Sequence, residues 1–467
     1  MKLRVRAALA AFTLSLLPAF VLAQPTAPAT TAQITEFRLD NGMRVIVNED
    51  HRAPTVAHMI WYRVGSIDES NGTTGVAHAL EHMMFKGTKT LKPGEFSQRV
   101  AELGGRENAF TSKDYTAYFE QIEKSQLEKV MALEADRMRN LQFDENEFSK
   151  EIRVVMEERR LRTDDQPIAL LHEALNATAF AAHPYRHPVI GWPSDLEHMT
   201  LADVKAWYRA WYAPNNAVMV VSGDVGPEQV RVLAQKYFGK YQGQPIPRGK
   251  PQEEPPQRGI KRVTVKAPAE NPYVALAFKV PALHDIEKDD DALALDVLAA
   301  VLDGYDNARL SAKLVRTDRV AYDVDASYAG IARGPVLFIL DGTPAAGVST
   351  AQLEKLLRAE VERVAQEGVS EAELNRVKNQ LIAGEIYKRD SVFGQAMEIG
   401  SMEMTGLSYT QIDRLIARLR AVTSQQVQSV ASRYFGDDAL TVGTLVPLPL
   451  SGKKPAPATS PQDGPMR

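Results

Sequence analysis

The sequence predicts an α+β fold built from two homologous domains, each a largely antiparallel sheet packed with helices. Strand-like apolar runs at 43–47, 56–64 and 273–280 alternate with long segments whose apolar residues have helical spacing. The segment 243–259 combines proline, glycine and charge without apolar periodicity, which is typical of an interdomain linker. It separates two halves of about 200 residues, each at the upper side of the usual size of a domain.

Similar features near the ends of the two halves indicate that the halves are distant copies. A threonine, a valine and an aromatic pair precede an apolar strand in each: Thr200, Val204 and Trp211-Tyr212 before 217–221, and Thr423, Val427 and Tyr434-Phe435 before 439–442. Helix openings at 144–148 and 370–374 also resemble each other. Because chance could produce either match alone, the duplication rests on the two together.

The amino terminus has the features of a secretory signal. Three basic residues precede an apolar run at 7–23, which ends in Val21-Leu22-Ala23 with small residues suited to cleavage before Gln24. The alternative is a membrane anchor, but Pro18 interrupts the run, and about 17 apolar residues is short for a span. We therefore predict cleavage near Ala23, export to a bacterial periplasm and no stable membrane insertion.

The predicted boundaries follow from these patterns: signal peptide 1–23, flexible leader 24–33, N-terminal domain 34–242, linker 243–259, C-terminal domain 260–446 and disordered tail 447–467.

The chain contains no cysteine, so neither a lipid-modified cysteine nor a disulfide contributes to the fold. Its formal net charge of −4 provides no basic field for a phosphate backbone, which argues against nucleic acid as a partner.

Candidate chemistry is concentrated in the pentapeptide His78-Ala79-Leu80-Glu81-His82. Residues four apart share one face of a helix, so both imidazoles can bind one ion at about 2.0–2.1 Å. Glu81 lies one turn from His78 and can act as general base on a metal-bound water. This inverted H-x-x-E-H order defines inverzincins. The alternative is a solvated polar helix face, which the apolar neighbours disfavour because they would bury the helix.

A catalytic zinc site needs a third protein ligand besides two histidines, and glutamate is one common solution. The helix predicted to begin near Asp144 offers Glu151 and Glu158, which are seven residues apart and share a face. Charge in such a helix is more often a solvated face, so spacing alone leaves the assignment of Glu158 open.

Three stretches, VAHALEHMMFKGT, GGRENAFTSKDYTAYF and EIRVVMEERRLR, resemble the pitrilysin/insulinase family of zinc peptidases. The chain looks most like bacterial members related to the mitochondrial processing peptidase, and the resemblance covers nearly all of the mature chain. It implies that His78, His82 and Glu158 bind one zinc ion per chain, that Glu81 is the catalytic base and that Glu151 supports the site.

The resemblance also implies a substrate and a reaction. Asn108 and Ala109 match a family segment that lines the cleft where a peptide adds to a sheet edge, a mode suited to flexible polypeptides. The expected activity is a zinc endopeptidase that hydrolyses peptides or unfolded exported proteins. The alternative is a non-catalytic binding or assembly subunit of a peptidase-like complex.

The second half departs from the family pattern. Many relatives carry an arginine and a tyrosine seven residues apart; Tyr322 fits the tyrosine, but Val315 stands seven before it and the nearest arginine is Arg316. Either Arg316 substitutes through a one-residue deletion, or the pair comes from a partner subunit. Only His284 lies beyond the linker, so no second metal site is expected there. The resemblance implies half of a clamshell chamber, completed as a homodimer or as a heterodimer with a zinc-less subunit.

Overall fold

Two sheets with helices on both faces form the part of the chain that the computed structural model describes, residues 34–450. The predicted signal peptide 1–23 and leader 24–33 lie outside the described residues, as does 451–467 of the predicted tail. Within 34–450, no helix is both long and apolar enough to cross a membrane.

The strands of the first sheet are β1 (Ile34–Arg38), β2 (Arg44–Glu49), β3 (Thr55–Tyr62), β4 (Arg106–Thr111), β5 (Thr116–Glu123) and β6 (Ala217–Gly223). Those of the second are β7 (Lys261–Pro268), β8 (Tyr273–Val280), β9 (Ala321–Tyr328), β10 (Val336–Pro344) and β11 (Leu440–Leu448).

The α-helices that precede β7 are α1 (Val76–Met83), α2 (Glu95–Glu102), α3 (Leu127–Asn140), α4 (Glu145–Arg159), α5 (Pro167–Ala179), α6 (Pro193–His198), α7 (Leu201–Trp211) and α8 (Pro227–Tyr237). Those that follow β8 are α9 (Asp290–Asp303), α10 (Thr350–Glu367), α11 (Glu371–Tyr387), α12 (Val392–Thr405), α13 (Ile412–Ala421) and α14 (Ser424–Tyr434).

The two sheets share one strand order, which supports the predicted duplication. The first runs β1-β2-β6-β3-β5-β4 and the second β7-β11-β8-β10-β9, so they differ only by the additional β1. In each, one pair is parallel, β2 with β6 and β7 with β11, and the other pairs are antiparallel. The threonines predicted to precede the repeated strands cap α7 and α14 with their side chains. The α+β fold class with two mainly antiparallel sheets is thereby confirmed.

One face of each sheet is covered by a helix from the other half of the chain. Leu171 and Leu175 of α5 pack on the second sheet, against β7, β8 and β11. Conversely, α12 packs on β3 and β6 of the first sheet, where Gly400 lies against the Trp61 ring. One apolar core cluster therefore contains residues of both sheets. The halves are joined by an exchange of helices as well as by the linker.

The predicted linker 243–259 has no regular secondary structure but is fixed to its surroundings. The Glu254 carboxylate accepts hydrogen bonds from the backbone N–H groups of Ala181, Ala182 and His183 and forms an ion pair of 2.7 Å with Lys279. Burial would raise the pKa of Glu254, but these bonds outweigh it and lower that pKa to about 2. The linker is thus held against both the end of α5 and strand β8.

The last strand differs from the predicted run 439–442. Ala439 lies in a 3₁₀ turn, and β11 continues to Leu448, two residues into the predicted tail. Pro447 can stand in the strand because β8 pairs with β11 only as far as Leu445, so the missing N–H of the proline is not needed on that side.

We expect Gly400→Ala to destabilise the protein, because an added Cβ would lie 2.0 Å from the Trp61 ring. Overpacking of this kind costs about 1–3 kcal/mol. Gly384→Ala in α11 is the matched control: no atom lies within 4 Å of its added Cβ, so helix propensity should make it neutral or stabilising by up to about 1 kcal/mol. Urea unfolding measures both. Equal free energies of unfolding for the two variants would contradict the packing of α12 on β3.

Candidate metal centre

Helix α1 carries the H-x-x-E-H motif and is held firmly at its amino terminus. Gly75 adopts a left-handed conformation with φ of 86°, and a Cβ there would lie 2.5 Å from the carbonyl oxygen of Ile190. The buried Glu69 carboxylate accepts the N–H groups of Gly75 at 2.8 Å and Ala77 at 2.9 Å. These contacts satisfy donors that a helix end leaves free and fix the start of α1.

Helix α4 brings the glutamates to α1. The side chain of Asp144 accepts the N–H groups of the first turn and begins the helix. Phe148, Glu151 and Val155 are buried on one face, and this face packs on α1. Arg159 at the end of the helix is held by the Glu173 carboxylate through two bonds of 2.8 Å. The position of α4 relative to α1 is therefore set by packing and by a fixed carboxyl-terminal end.

The structure brings His78, His82 and Glu158 together, with one ligand atom from each within 4.8 Å of the others. The Glu158 Oε2 atom lies 3.2 Å from His82 Nε2 and 3.7 Å from His78 Nε2. Three atoms bound tetrahedrally to zinc at its usual distances would be about 3.3 Å apart. Two imidazole nitrogens and a carboxylate are also a donor set that zinc favours. The arrangement fits a zinc ion.

The charges of the three side chains are strongly coupled. Burial lowers the pKa of His78 to about 3, so this imidazole is neutral. Burial also opposes charge on His82, but hydrogen bonds to Glu151 and Glu158 outweigh it and raise its pKa to about 9. For Glu158 burial is likewise overcome by the His82 hydrogen bond and the nearby imidazoles, which lower its pKa to about 2. Without metal, His82 thus keeps a proton on Nε2, which lies between this nitrogen and the Glu158 Oε2 atom.

Glu151 contacts His82 at Nδ1, the ring nitrogen that does not face Glu158. Its Oε1 atom is 2.8 Å from His82 Nδ1, which leaves Nε2 of that ring to face Glu158. Its other oxygen forms an ion pair with Lys86. Burial would raise the pKa of Glu151, but the bonds to His82 and Lys86 lower it. Such carboxylate–histidine pairs orient metal-binding imidazoles and increase their basicity.

Glu81 projects toward the edge of the first sheet, where its Oε2 atom accepts a hydrogen bond from the Thr111 hydroxyl. Burial raises the pKa of Glu81, and the Thr111 hydrogen bond partly opposes this shift. A raised carboxylate pKa suits a general base that must also return a proton.

Asn108 and Ala109 lie on β4, which forms one edge of the first sheet. The Asn108 side chain accepts the Ala109 N–H at 2.9 Å. That N–H therefore points away from β5, toward the open edge. Since Thr111 of this strand contacts Glu81, an added peptide strand would run beside the histidines.

The structure does not bring Arg316 or Tyr322 to this site. Arg316 bonds with Asn307 and the backbone of Asp306. Tyr322 stands on the edge strand β9, is 54% exposed and accepts the N–H of Ala346. In the part of the chain that the structure describes, neither side chain forms a hydrogen bond with a residue of α1 or α4.

The second half has no matching ligand at the position equivalent to Glu158. Asp144 and Ser370 cap α4 and α11, and Glu158 stands fourteen residues after its cap. The residue fourteen positions after Ser370 is Gly384. Within 34–450, the only cluster of three or more potential ligands is the one in the first half.

Three contributing residues were not predicted: Lys86 and Thr111, described above, and Arg162, whose guanidinium lies 2.9 Å from Glu158 Oε1. Lys86 and Arg162 each stand four residues after a site residue, which is a helical spacing that could have indicated them. Thr111 is 30 residues from Glu81, and no local spacing signals that contact.

The fold and the site define a class of two-sheet proteins with an inverted zinc-binding motif. The family described as Insulinase (Peptidase family M16) matches residues 44–192, and the Peptidase M16 inactive domain matches 198–381. Together they cover more than half of the chain. The chain therefore belongs to the insulinase family, peptidase family M16, as its resemblance to the pitrilysin/insulinase family implied.

Three relatives illustrate the similarity. The zinc protease PqqE of Helicobacter pylori is 34% identical over 88% of this chain and 92% of its own. The crystal structure of a protease from Helicobacter pylori superimposes with a TM-score of 0.84 at 31% identity, over 89% of this chain and 100% of that one. The periplasmic protease PqqL from Escherichia coli shares the fold, with a TM-score of 0.74 at 19% identity, over 89% of this chain but 48% of its own.

We expect zinc binding to release about one proton per ion at pH 7. His82 holds a proton below its pKa of about 9, whereas bound zinc requires the neutral imidazole. Zinc affinity should thus rise about tenfold per pH unit up to about pH 9 and then level off. Calorimetry in buffers of different ionisation enthalpy measures the number of protons released. Zinc binding without proton release would contradict the charge coupling of His82 with Glu151 and Glu158.

We expect Glu151→Gln to weaken zinc binding roughly 10–100-fold. Glu147→Gln on the same helix is the control.

Proposed function

We propose that this chain is a zinc-dependent endopeptidase that hydrolyses peptides or unfolded polypeptides, with one zinc ion held by His78, His82 and Glu158. The observation that supports this most strongly is the convergence of these three ligand atoms beside a partly buried carboxylate, Glu81, that is not one of them. A purely structural subunit has no physical reason to keep a base next to a complete ligand set.

The chain's own residues account for proton transfer. When bound, zinc polarises a substrate carbonyl and lowers the pKa of a water molecule. Glu81 removes a proton from the attacking water and returns it to the nitrogen of the leaving amine. Glu151 and Lys86 keep His82 in the ring orientation that ligation needs. Arg162 holds the second oxygen of Glu158.

The open edge of β4 supports an extended substrate. Backbone hydrogen bonds from a peptide to this edge supply affinity with little demand on sequence. Asn108 and Ala109 lie at this edge, on the strand whose last residue contacts Glu81. This mode favours flexible or unfolded polypeptides, because a folded protein rarely offers a free extended strand.

The separation of Tyr322 and Arg316 from the zinc ligands favours a dimer. The chain spans about half of the periplasmic protease PqqL, so a second subunit would complete a two-lobed chamber. We propose that the second lobe of a partner provides the tyrosine, either in a homodimer or in a heterodimer with a zinc-less subunit. The signal-like residues 1–23 and the periplasmic neighbour support export to the periplasm.

We expect Glu81→Gln to abolish cleavage of casein or a quenched peptide while keeping its zinc. Removal of a general base costs about 10²–10⁴-fold in rate, and glutamine fits the same space without accepting a proton. His82→Ala should lose both zinc and activity, and a chelator should inactivate the parent. Metal content and cleavage rate are measured together. Glu81→Gln that cleaves as fast as the parent would favour the alternative, a binding or assembly subunit.

We also expect complementation if the dimer is homomeric. Glu81→Gln and Tyr322→Phe protomers should each show little or no activity alone. Random pairing in an equal mixture should restore about a quarter of parental activity, because one site in each mixed dimer is intact. Recovery is measured after co-expression, with Tyr387→Phe, another exposed tyrosine, as the control for Tyr322→Phe. No recovery would show that the tyrosine does not cross between copies of this chain.

A further inference from the structure

The hydrogen bond between Thr111 and Glu81 joins two parts of the candidate site that are distant in sequence. Among the residues from 34 to 450, the Thr111 hydroxyl is the only group that donates a hydrogen bond to the Glu81 carboxylate. Glu81 is an acceptor when ionised, so the hydroxyl must be the donor. Its Oε1 atom receives no hydrogen bond from those residues, which leaves that oxygen free.

The direction of the Thr111 side chain follows from the strand. Side chains alternate along β4: Phe110 packs with Trp61 in the core between the sheets, and Ala109 packs with the helices on the other face. Thr111 shares the face of Ala109 and thus points at α1, which contacts β4.

The backbone of Thr111 is held in place. It pairs with Thr116 of the neighbouring strand β5. The following turn is fixed by the bond from Ser66 N–H to the Ser112 carbonyl, at 3.2 Å. Threonine is also restricted at χ1 by its β-branch. The hydroxyl is therefore presented to Glu81 from a fixed point.

A glutamate carboxylate rotates broadly about its last torsion, so an unheld Glu81 would sample several orientations. We propose that Thr111 is a positioning residue: its hydroxyl fixes the Glu81 carboxylate so that Oε1 is the oxygen that exchanges the proton. This inference rests on the proposed function. It also ties the orientation of the base to β4, the strand to which substrate would add.

The test compares Thr111→Val, which removes the hydroxyl at nearly constant shape, with Thr111→Ser, which keeps it. Thr116→Val, the cross-strand neighbour, is the matched control, because it removes a hydroxyl that bonds to the Val64 carbonyl and the Tyr212 side chain but not to Glu81. Steady-state cleavage of a quenched peptide, zinc content and thermal unfolding are measured for all three. Crystal structures of the metal-free parent and variants provide a readout that is independent of activity.

We expect Thr111→Val to lower kcat about 10–100-fold, the scale of loss for a misplaced catalytic group, with KM and zinc content unchanged. Thr111→Ser and Thr116→Val should stay within about threefold of the parent. In the crystals, the Glu81 carboxylate should rotate or lose its single orientation in Thr111→Val only.

Three outcomes would overturn the inference: full activity in Thr111→Val, equal loss in the serine and valine variants, or an unchanged Glu81 carboxylate in Thr111→Val. A rise in KM at constant kcat would also overturn it, because Thr111 would then act on binding. If the zinc-loaded parent cleaves nothing, the proposed function fails, while the crystal structures still decide whether Thr111 orients Glu81.

Discussion

The packing of α1 against α4 is the constraint on which the candidate site depends. It places a glutamate from one helix against two imidazoles from the other, in a partly buried position where none of the three could remain unpaired at low cost. The shared proton on His82 satisfies the group without metal, and a zinc ion can replace that proton. The same side chains therefore stabilise the helix pair and prepare a binding site.

The two halves share one architecture, but within 34–450 only the first carries the three candidate metal ligands. Each sheet receives a helix from the opposite half, α5 on the second and α12 on the first, and the fixed linker adds a third connection. The second half repeats the capped helix but has Gly384 in place of Glu158. Its edge strand β9 carries Tyr322 into solvent, on a surface that is available to a partner.

Local periodicity predicted much of this structure, because it depends on neighbours along the chain. The spacing of His78 and His82 identified one face of a helix, and the apolar runs identified five of the eleven strands: β2, β3, β6, β8 and β11. Glu158 needed the family resemblance, since its approach to His82 depends on how two helices pack. The exchange of α5 and α12 could not be predicted, because an amphipathic helix shows that one face is buried but not which sheet covers it. Thr111 was missed for a similar reason, as its partner lies across a sheet–helix interface.

A crystal structure of the zinc-soaked protein, with data at the zinc absorption edge, tests the central claim most directly. The account predicts one anomalous peak per chain, bound by Nε2 of His78, Nε2 of His82 and the Glu158 carboxylate, with His82 Nδ1 still bonded to Glu151. A peak at other residues, or no peak between α1 and α4 at saturating zinc, would contradict it.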